Sequence, residues 1–236
     1  MIQVLTRSAH PELYQRMVTS ARKTAFGNVM FVSTPDDGLP KIVESYNLMA
    51  AVSTADILVF CHDDIIFLSE GWDERVKEAF RLGFEVVGAV GTQKYTGGMI
   101  FDSGKEYSVG QVVGNLDGKR IKKLFQHRAE IEPAQAVDGM FMAVTREHFI
   151  KSGGFDSQFD GLFYYDVDFC LRSNCAVVDI LLAHEKPPHI WGKYPEAMKP
   201  IEFYRDAFNK KHGFKEDPPI GDQRCDSVAY EEEVAA

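Results

Sequence analysis

Apolar and polar positions along the first ninety residues fall into two alternating rhythms. Compact apolar runs occur at residues 2–6, 28–33, 56–61 and 84–90. Residues 11–25, 41–53 and 71–82 between them carry apolar positions at helical spacing. In 41–53 the stripe is Ile42, Val43, Tyr46, Leu48, Met49 and Val52; in 71–82 it is Trp72, Val76, Ala79 and Phe80. Runs that are apolar at nearly every position suit strands covered by helices on both faces. The alternation therefore predicts an α/β fold with a mostly parallel, doubly wound central sheet and helices on both faces.

The second half changes rhythm. Residues 92–118 are glycine-rich, with the pair Gly97-Gly98, and predict a long mobile excursion that would serve either as a lid or as an ordinary surface loop. Residues 136–145 then read as a strand, 146–152 as a short helix and 165–173 as a helix with alternating acids. A last apolar strand, 176–183, ends at His184. From Lys215 onward the chain is polar and acidic. The division expected is one domain over 1–214 and a loosely docked acidic tail over 215–236.

Composition narrows the class. With 236 residues, 45% of them hydrophobic, there is material for one sizeable core. A formal net charge of -9 gives no bulk attraction for a nucleic-acid backbone. Cys61, Cys170, Cys175 and Cys225 lack zinc-knuckle spacing and read as free thiols in a reducing compartment. No apolar stretch reaches the roughly 18 residues of a membrane span, and residues 2–6 are too short for a signal peptide, so a cytoplasmic protein is expected.

The acids carry the chemistry. Ligands of open α/β sheets bind outside the carboxyl ends of the strands, and His62-Asp63-Asp64 follows the most apolar strand of the chain. Two adjacent carboxylates there repel each other unless a cation compensates. Mg2+ or Mn2+ shared with a diphosphate would do so, whereas capping of the next turn accounts for one carboxylate more easily than for two. His184, at another strand exit, is a candidate to complete such a site; His189 and Trp191 follow in a proline-containing loop. Asp166 and Asp168 form a second acidic cluster. Their spacing of two places them on different sides of a helix, one to face a pocket and the other to brace the fold. Phe159, Phe163, Tyr164 and Tyr165 offer either a stacking floor for a sugar or core packing.

Taken in order, these blocks resemble the GT-A glycosyltransferases of the family 2 type, and more narrowly the StrF-like group. The likeness runs over about residues 1–190, through 45–64, Asp138-Gly139 and its following strand, Gly153-Gly154-Phe155-Asp156, and 163–172. It implies a metal-dependent, inverting transfer of a sugar from a nucleoside-diphosphate sugar, a UDP-sugar favoured over a GDP-sugar, to a carbohydrate or other hydroxyl acceptor. Asp64 would bind Mn2+ or Mg2+, with His184 as a further ligand. Asp166 would be the general base. Asp138 and Gly139 would border donor sugar and acceptor. Thr6, Arg7, Ser8, Asp36, Asn47, His62 and Asp63 would serve the nucleotide. Two positions depart from the family pattern: His62 replaces its first acid, and Tyr165 the glutamate before the base. Those departures motivate an alternative, an inactive nucleotide-sugar binder of the same fold. A sugar-phosphate nucleotidyltransferase is a further alternative, although Thr6-Arg7-Ser8-Ala9-His10-Pro11 stands where its glycine-rich phosphate loop would be. A homo-oligomer is compatible with either reading.

Overall fold

The computed structural model describes residues 1–35, 41–116, 119–125, 129–161, 163–185, 201–215 and 226–230. In chain order these form β1 (Ile2–Ser8), α1 (Pro11–Thr24), β2 (Val29–Pro35), α2 (Ile42–Val52), β3 (Ile57–Cys61), β4 (Ile65–Phe67) and α3 (Trp72–Arg81). Next come β5 (Val86–Gly88), β6 (Val90–Thr92), β7 (Ser108–Leu116), β8 (Lys119–Leu124), β9 (Ile131–Ala134), β10 (Ala136–Val137), β11 (Phe141–Thr145) and α4 (Arg146–Lys151). The chain closes with α5 (Tyr165–Cys170), β12 (Cys175–Val178), β13 (Leu182–His184), α6 (Ile201–His212) and β14 (Asp226–Ala229).

The main sheet has the order β2-β1-β3-β11-β5-β12-β9. Its strands are two-sided, as their composition requires. In β3, Leu58 and Phe60 enter one core while Val59 and Cys61 enter the other; in β1, Leu5 opposes Ile2 and Val4. One core receives Ile42, Val43, Tyr46, Met49 and Ala50 of α2, with Val167 and Phe169 of α5 and Phe208 of α6. The other receives Met17, Val18 and Ala21 of α1 and Trp72, Val76 and Ala79 of α3. Trp72 Nε1 donates to the Ala21 carbonyl at 3.1 Å and ties those two helices together. The stripe expected on α2 is narrower than its sequence suggests: Leu48 and Val52 are 61% and 72% exposed.

The α/β class stands, and the sheet is mixed rather than mostly parallel. β1 runs parallel to β2 and β3, and β12 parallel to β5, but β11 runs antiparallel to both β3 and β5, and β9 antiparallel to β12. The physical reason is the connection. β11 is reached from β10 through residues 138–140 with no helical crossover, which parallel neighbours would need.

A second sheet has the order β10-β6-β7-β13-β4, with β8 pairing β7 and β14. The backbone passes between the two sheets at residues 62–64, at Ala89, at 138–140 and at 179–181. Runs that read as single strands, 84–90 and 176–183, are each split at such a crossing.

The glycine-rich excursion is also more regular than expected. Residues Ile100–Ser103 form a 3₁₀ turn, and β7 is paired to β6, β8 and β13, so this part is a sheet strand rather than a lid. Gly110 answers a steric demand. Gly110 has φ 99, and a Cβ there would lie 2.2 Å from the Ala89 carbonyl oxygen. In the C-terminal region, β14 pairs antiparallel with β8. No helix of the described residues is long and apolar enough to cross a membrane.

Candidate active site

The site is assembled at the crossings between the two sheets. After β3, the His62 amide donates to the Met140 carbonyl at 3.1 Å, so the β3 exit is fastened to the segment that carries Asp138 and Gly139. The Glu185 amide donates to the Asp64 carbonyl at 2.8 Å, and His184 pairs with Ile65 in the β13–β4 ladder. Backbone bonds thus bring the exits of β3 and β13 together before any side-chain chemistry is considered.

Three side chains converge there. His62, Asp64 and His184 each offer one ligand atom, and these atoms all lie within 4.8 Å of one another. Asp64 Oδ1 lies 3.2 Å from His184 Nε2, on a carboxylate side chain only 3% exposed. The two atoms touch without hydrogen-bond geometry, and Oδ1 has no hydrogen-bond partner among the described residues. A buried carboxylate oxygen without a donor is costly, and a shared cation would relieve it. The residues present therefore fit a divalent metal ion. Burial pushes the Asp64 carboxyl up, but the neighbouring imidazoles of His184 and His62 outweigh it and leave the group below its ordinary range. Burial lowers the His62 pKa in spite of Asp64 beside it, which favours the neutral imidazole that a metal ligand requires.

Asp63 does different work. Its Oδ2 accepts from Ser8 Oγ at 3.0 Å, the Ala9 amide at 3.1 Å and the His10 amide at 3.2 Å. It fixes the turn between β1 and α1. Thr6 is fully buried, and Thr6 and Arg7 pair with Ser33 and Thr34 in the β1–β2 ladder, so Thr6, Arg7 and Ser8 lie at the strand end that Asp63 secures. Asn47 lies elsewhere. Its Nδ2 donates to the Phe155 carbonyl at 2.9 Å and its Oδ1 accepts the Phe155 amide at 3.0 Å, which locks α2 to the loop after α4. Asp36, His189 and Trp191 lie outside the described residues.

Asp166 stands at the start of α5. Its Oδ2 accepts the Gly139 amide at 2.9 Å and its Oδ1 the Val167 amide at 2.8 Å. Burial and the nearby Asp138 carboxylate raise its pKa from the ordinary 3.8 to about 7, despite those two bonds. Gly139 is required by close approach: a Cβ there would meet the Tyr165 hydroxyl at 2.5 Å and Asp166 Oδ2 at 3.1 Å. Asp138 Oδ1 accepts the Met140 amide at 2.9 Å. The chain of contacts from Asp166 through Gly139 and Met140 to His62, and on to Asp64 and His184, is continuous, so these positions and Asp138 are linked through the backbone.

Asp168 points the other way. It is fully buried, and its Oδ1 accepts from Lys211 Nζ at 2.6 Å and lies 2.8 Å from His212 Nε2 on α6. Phe159, Phe163, Tyr164 and Tyr165 are all buried in the core and form no exposed stacking floor. Tyr165 meets Phe155 edge to face at 5.3 Å, so the family's glutamate position is a core position in this chain. Sequence reasoning missed two features. His62 belongs with the metal-ligand group, a signal present in its spacing of two from Asp64 at a strand exit. Tyr164, just before α5, adopts a left-handed φ of 69 that no residue pattern announces.

The mixed sheet flanked by helices, with acids and imidazoles at its strand exits, defines the GT-A glycosyltransferase fold. Two solved structures share it. GalNAc-T7 with UDP, GalNAc and Mn2+ is 11% identical with a TM-score of 0.56, over 91% of this chain and 55% of that one. The mannosyltransferase PcManGT from Pyrobaculum calidifontis, in complex with GDP-Man and Mn2+, is 10% identical with a TM-score of 0.54, over 93% and 66%. This chain thus spans between about half and two thirds of the length of those two neighbours. No curated protein matches the sequence. The chain belongs to the family described as "Glycosyltransferase like family", whose model matches residues 4–213.

Proposed function

We propose that the enzyme moves a sugar from a nucleoside-diphosphate sugar to an acceptor hydroxyl with inversion at the anomeric carbon. The observation that carries this reading is Asp166: a carboxylate with a pKa near 7, held by the Gly139 amide beside a cluster suited to a divalent ion. Asp64 and His184 would hold the ion, Mn2+ or Mg2+, which when bound neutralises charge on the departing diphosphate. Asp166 takes the proton of the acceptor hydroxyl as its oxygen attacks the anomeric carbon and the bond to the diphosphate breaks. Gly139, lacking a side chain, leaves room for that carboxylate, and Asp138 raises its basicity. Asp63 holds the Ser8–His10 turn at the nucleotide end. A UDP-sugar donor and a StrF-like placement within family 2 stay part of this proposal, the placement supported by the 45–64 and 163–172 blocks.

The inactive-binder reading loses its motive, since His62 sits among the candidate ligands and Tyr165 in the core. A thermal-shift screen of UDP-, GDP- and dTDP-sugars with and without Mn2+ tests the proposal, because any ligand of the native state raises the melting temperature. We expect metal-dependent stabilisation by one donor class, loss of that stabilisation in Asp64→Asn, and an inverted anomer in the product by NMR. Stabilisation without turnover towards any hydroxyl acceptor or water would return the binder reading. A retained anomeric configuration would remove Asp166 from its role.

A further inference from the structure

Away from the candidate active site, an acid, an imidazole and a hydroxyl meet in series. His148 stands in α4, where its amide donates to the capping Thr145 Oγ1 at 3.2 Å, and its ring meets Phe169 edge to face at 5.7 Å. The imidazole is only 12% exposed, with Nδ1 3.3 Å from Glu85 Oε1 and Nε2 2.8 Å from Ser173 Oγ. Glu85 is fixed in turn. Its Oε2 accepts the Asn174 amide at 2.8 Å, and its own amide donates to the Asn174 carbonyl at 2.7 Å. The carboxylate decides the tautomer: the ring nitrogen beside it carries the proton, which leaves Nε2 as an acceptor. Two hydroxyls reach that nitrogen, Ser173 at 2.8 Å and Ser152 at 3.2 Å. The Phe169 carbonyl, 3.0 Å from Ser173 Oγ, is the competing acceptor for the Ser173 proton. Burial lowers the His148 pKa in spite of Glu85, with Arg172 and Lys151 acting in the same direction, so the imidazole is a neutral base near pH 7.

Of the two hydroxyls, Ser173 is the one that lines a cavity, of about 630 Å³. Pro133, Ala134 and Leu171 give this cavity an apolar wall, Gln135 and Asn174 give it neutral amides, and no charged residue among those described lines it. Gln135 is oriented by the Tyr95 amide, which donates to its Oε1 at 2.7 Å, and its NH2 is a donor of the kind that stabilises an oxyanion. We propose that Ser173, His148 and Glu85 form a hydrolytic triad that cleaves uncharged carboxylic esters, independently of sugar transfer. Ser173 Oγ attacks the ester carbonyl carbon while its proton passes to His148 Nε2. The bond from that carbon to the alcohol oxygen breaks, and His148 returns the proton to the leaving alcohol. Water then attacks the acyl-serine with His148 again as base, which releases the carboxylic acid and restores the Ser173 hydroxyl. Glu85 holds the imidazole in its tautomer throughout. Asp166 takes no part, since it lies at the opposite end of α5 from the turn that carries Ser173.

The test uses the full chain, with a fluorophosphonate and p-nitrophenyl acetate as probes. The fluorophosphonate is expected to label Ser173, located by peptide mass spectrometry, and p-nitrophenyl acetate to be hydrolysed faster than in buffer. Both reactions should be lost in Ser173→Ala, kept in Ser152→Ala and slowed about 10²-fold or more in His148→Gln. No label at Ser173 would overturn the proposal, the Ser173 proton then belonging to the Phe169 carbonyl. Equal rates in His148→Gln would overturn activation by the imidazole. Ester hydrolysis that persists in Ser173→Ala, or label without hydrolysis, would overturn the activity. Should His148→Gln not fold, the site of labelling and Ser173→Ala decide the matter alone. Sugar transfer should be unchanged in Ser173→Ala, so either reading can fail without the other.

Discussion

Asp166 shows how two conflicting demands are met at one residue. In the proposed transfer its carboxylate must be reachable by an acceptor hydroxyl yet desolvated enough to hold a proton near neutrality. Burial and Asp138 raise its pKa to about 7, while the Gly139 and Val167 amides keep it from rising further. As general base it must be ionised, so kcat/KM should climb with pH through about 7 and then level. Asp166→Asn should lower transfer by about 10²–10⁴-fold, abolish that ascending limb and leave donor-induced stabilisation unchanged. The same residue makes a stability statement. Its folded pKa lies above the unfolded 3.8, so the native state holds the extra proton between about pH 4 and 7, and stability falls as pH rises through that window. Urea titrations at pH 4.5 and 7.5 should show a smaller decline in Asp166→Asn than in the unaltered chain. The acids at 64 and 166 were legible in the sequence because a strand exit and a helix start each leave a recognisable pattern. The separate roles of Asp63 and Asp64 were legible through the family resemblance; the partner of Asp63 was not, since it depends on which of the two acids the Ser8–His10 turn reaches.

At the scale of the element, α5 is six residues long, too short to persist by its own hydrogen bonds. It is held by Val167 and Phe169 in the core and by Asp168 on its inner side. Asp168 gathers Lys211 at 2.6 Å, His212 at 2.8 Å and Arg172 at 3.7 Å, and Lys211 also bonds Asp156 at 2.7 Å. This cluster clamps α6 to the helix that carries Asp166. Removing one member of such a buried group leaves its partners facing an uncompensated site. Asp168→Asn keeps the shape and removes the charge, and should cost about 2–3 kcal/mol in a urea titration, below the deep-burial range because Lys211 is itself one third exposed. Donor binding measured below the unfolding transition should persist. The expectation that one acid of the pair would brace the fold is met here. Lys211 and His212 were invisible because they lie more than forty positions away along the chain, whereas Arg172 is only one helical turn on. Periodicity reports which face of a helix is apolar and says nothing about which distant cation meets a buried acid.

For the whole molecule, the placement of the site follows from the seam between two sheets. The chain crosses that seam at 62–64 and 138–140, where His62, Asp63, Asp64, Asp138 and Gly139 are found, and the end of β13 supplies His184. The seam was hidden in the sequence for a physical reason: an apolar run stays apolar when its backbone leaves one buried sheet for the next, so residues 84–90 and 176–183 each read as one strand. What betrays the crossing is steric. Between the sheets, a Cβ at Gly88 of β5 would fall 2.4 Å from Val137 of β10, and within the second sheet Cβ atoms at Gly91 and Gly110 would fall 2.3 Å and 2.2 Å from the carbonyl oxygens of Ala136 and Ala89. Gly110 and Gly83 offer a controlled comparison, because their φ values are nearly equal, 99 and 92, while nothing lies within 4 Å of a Cβ at Gly83. Gly83→Ala should therefore show conformational strain alone, about 1 kcal/mol. Gly110→Ala adds a collision with backbone that cannot swing aside, and should cost about 3 kcal/mol or more. Equal losses in the two variants, measured by denaturant unfolding, would mean that the Ala89 carbonyl does not crowd β7 at Gly110. Because the candidate ligand group lies at the same seam, the proposed metal dependence expects Gly110→Ala to weaken Mn2+ binding as well, whereas Gly83→Ala should leave it unchanged.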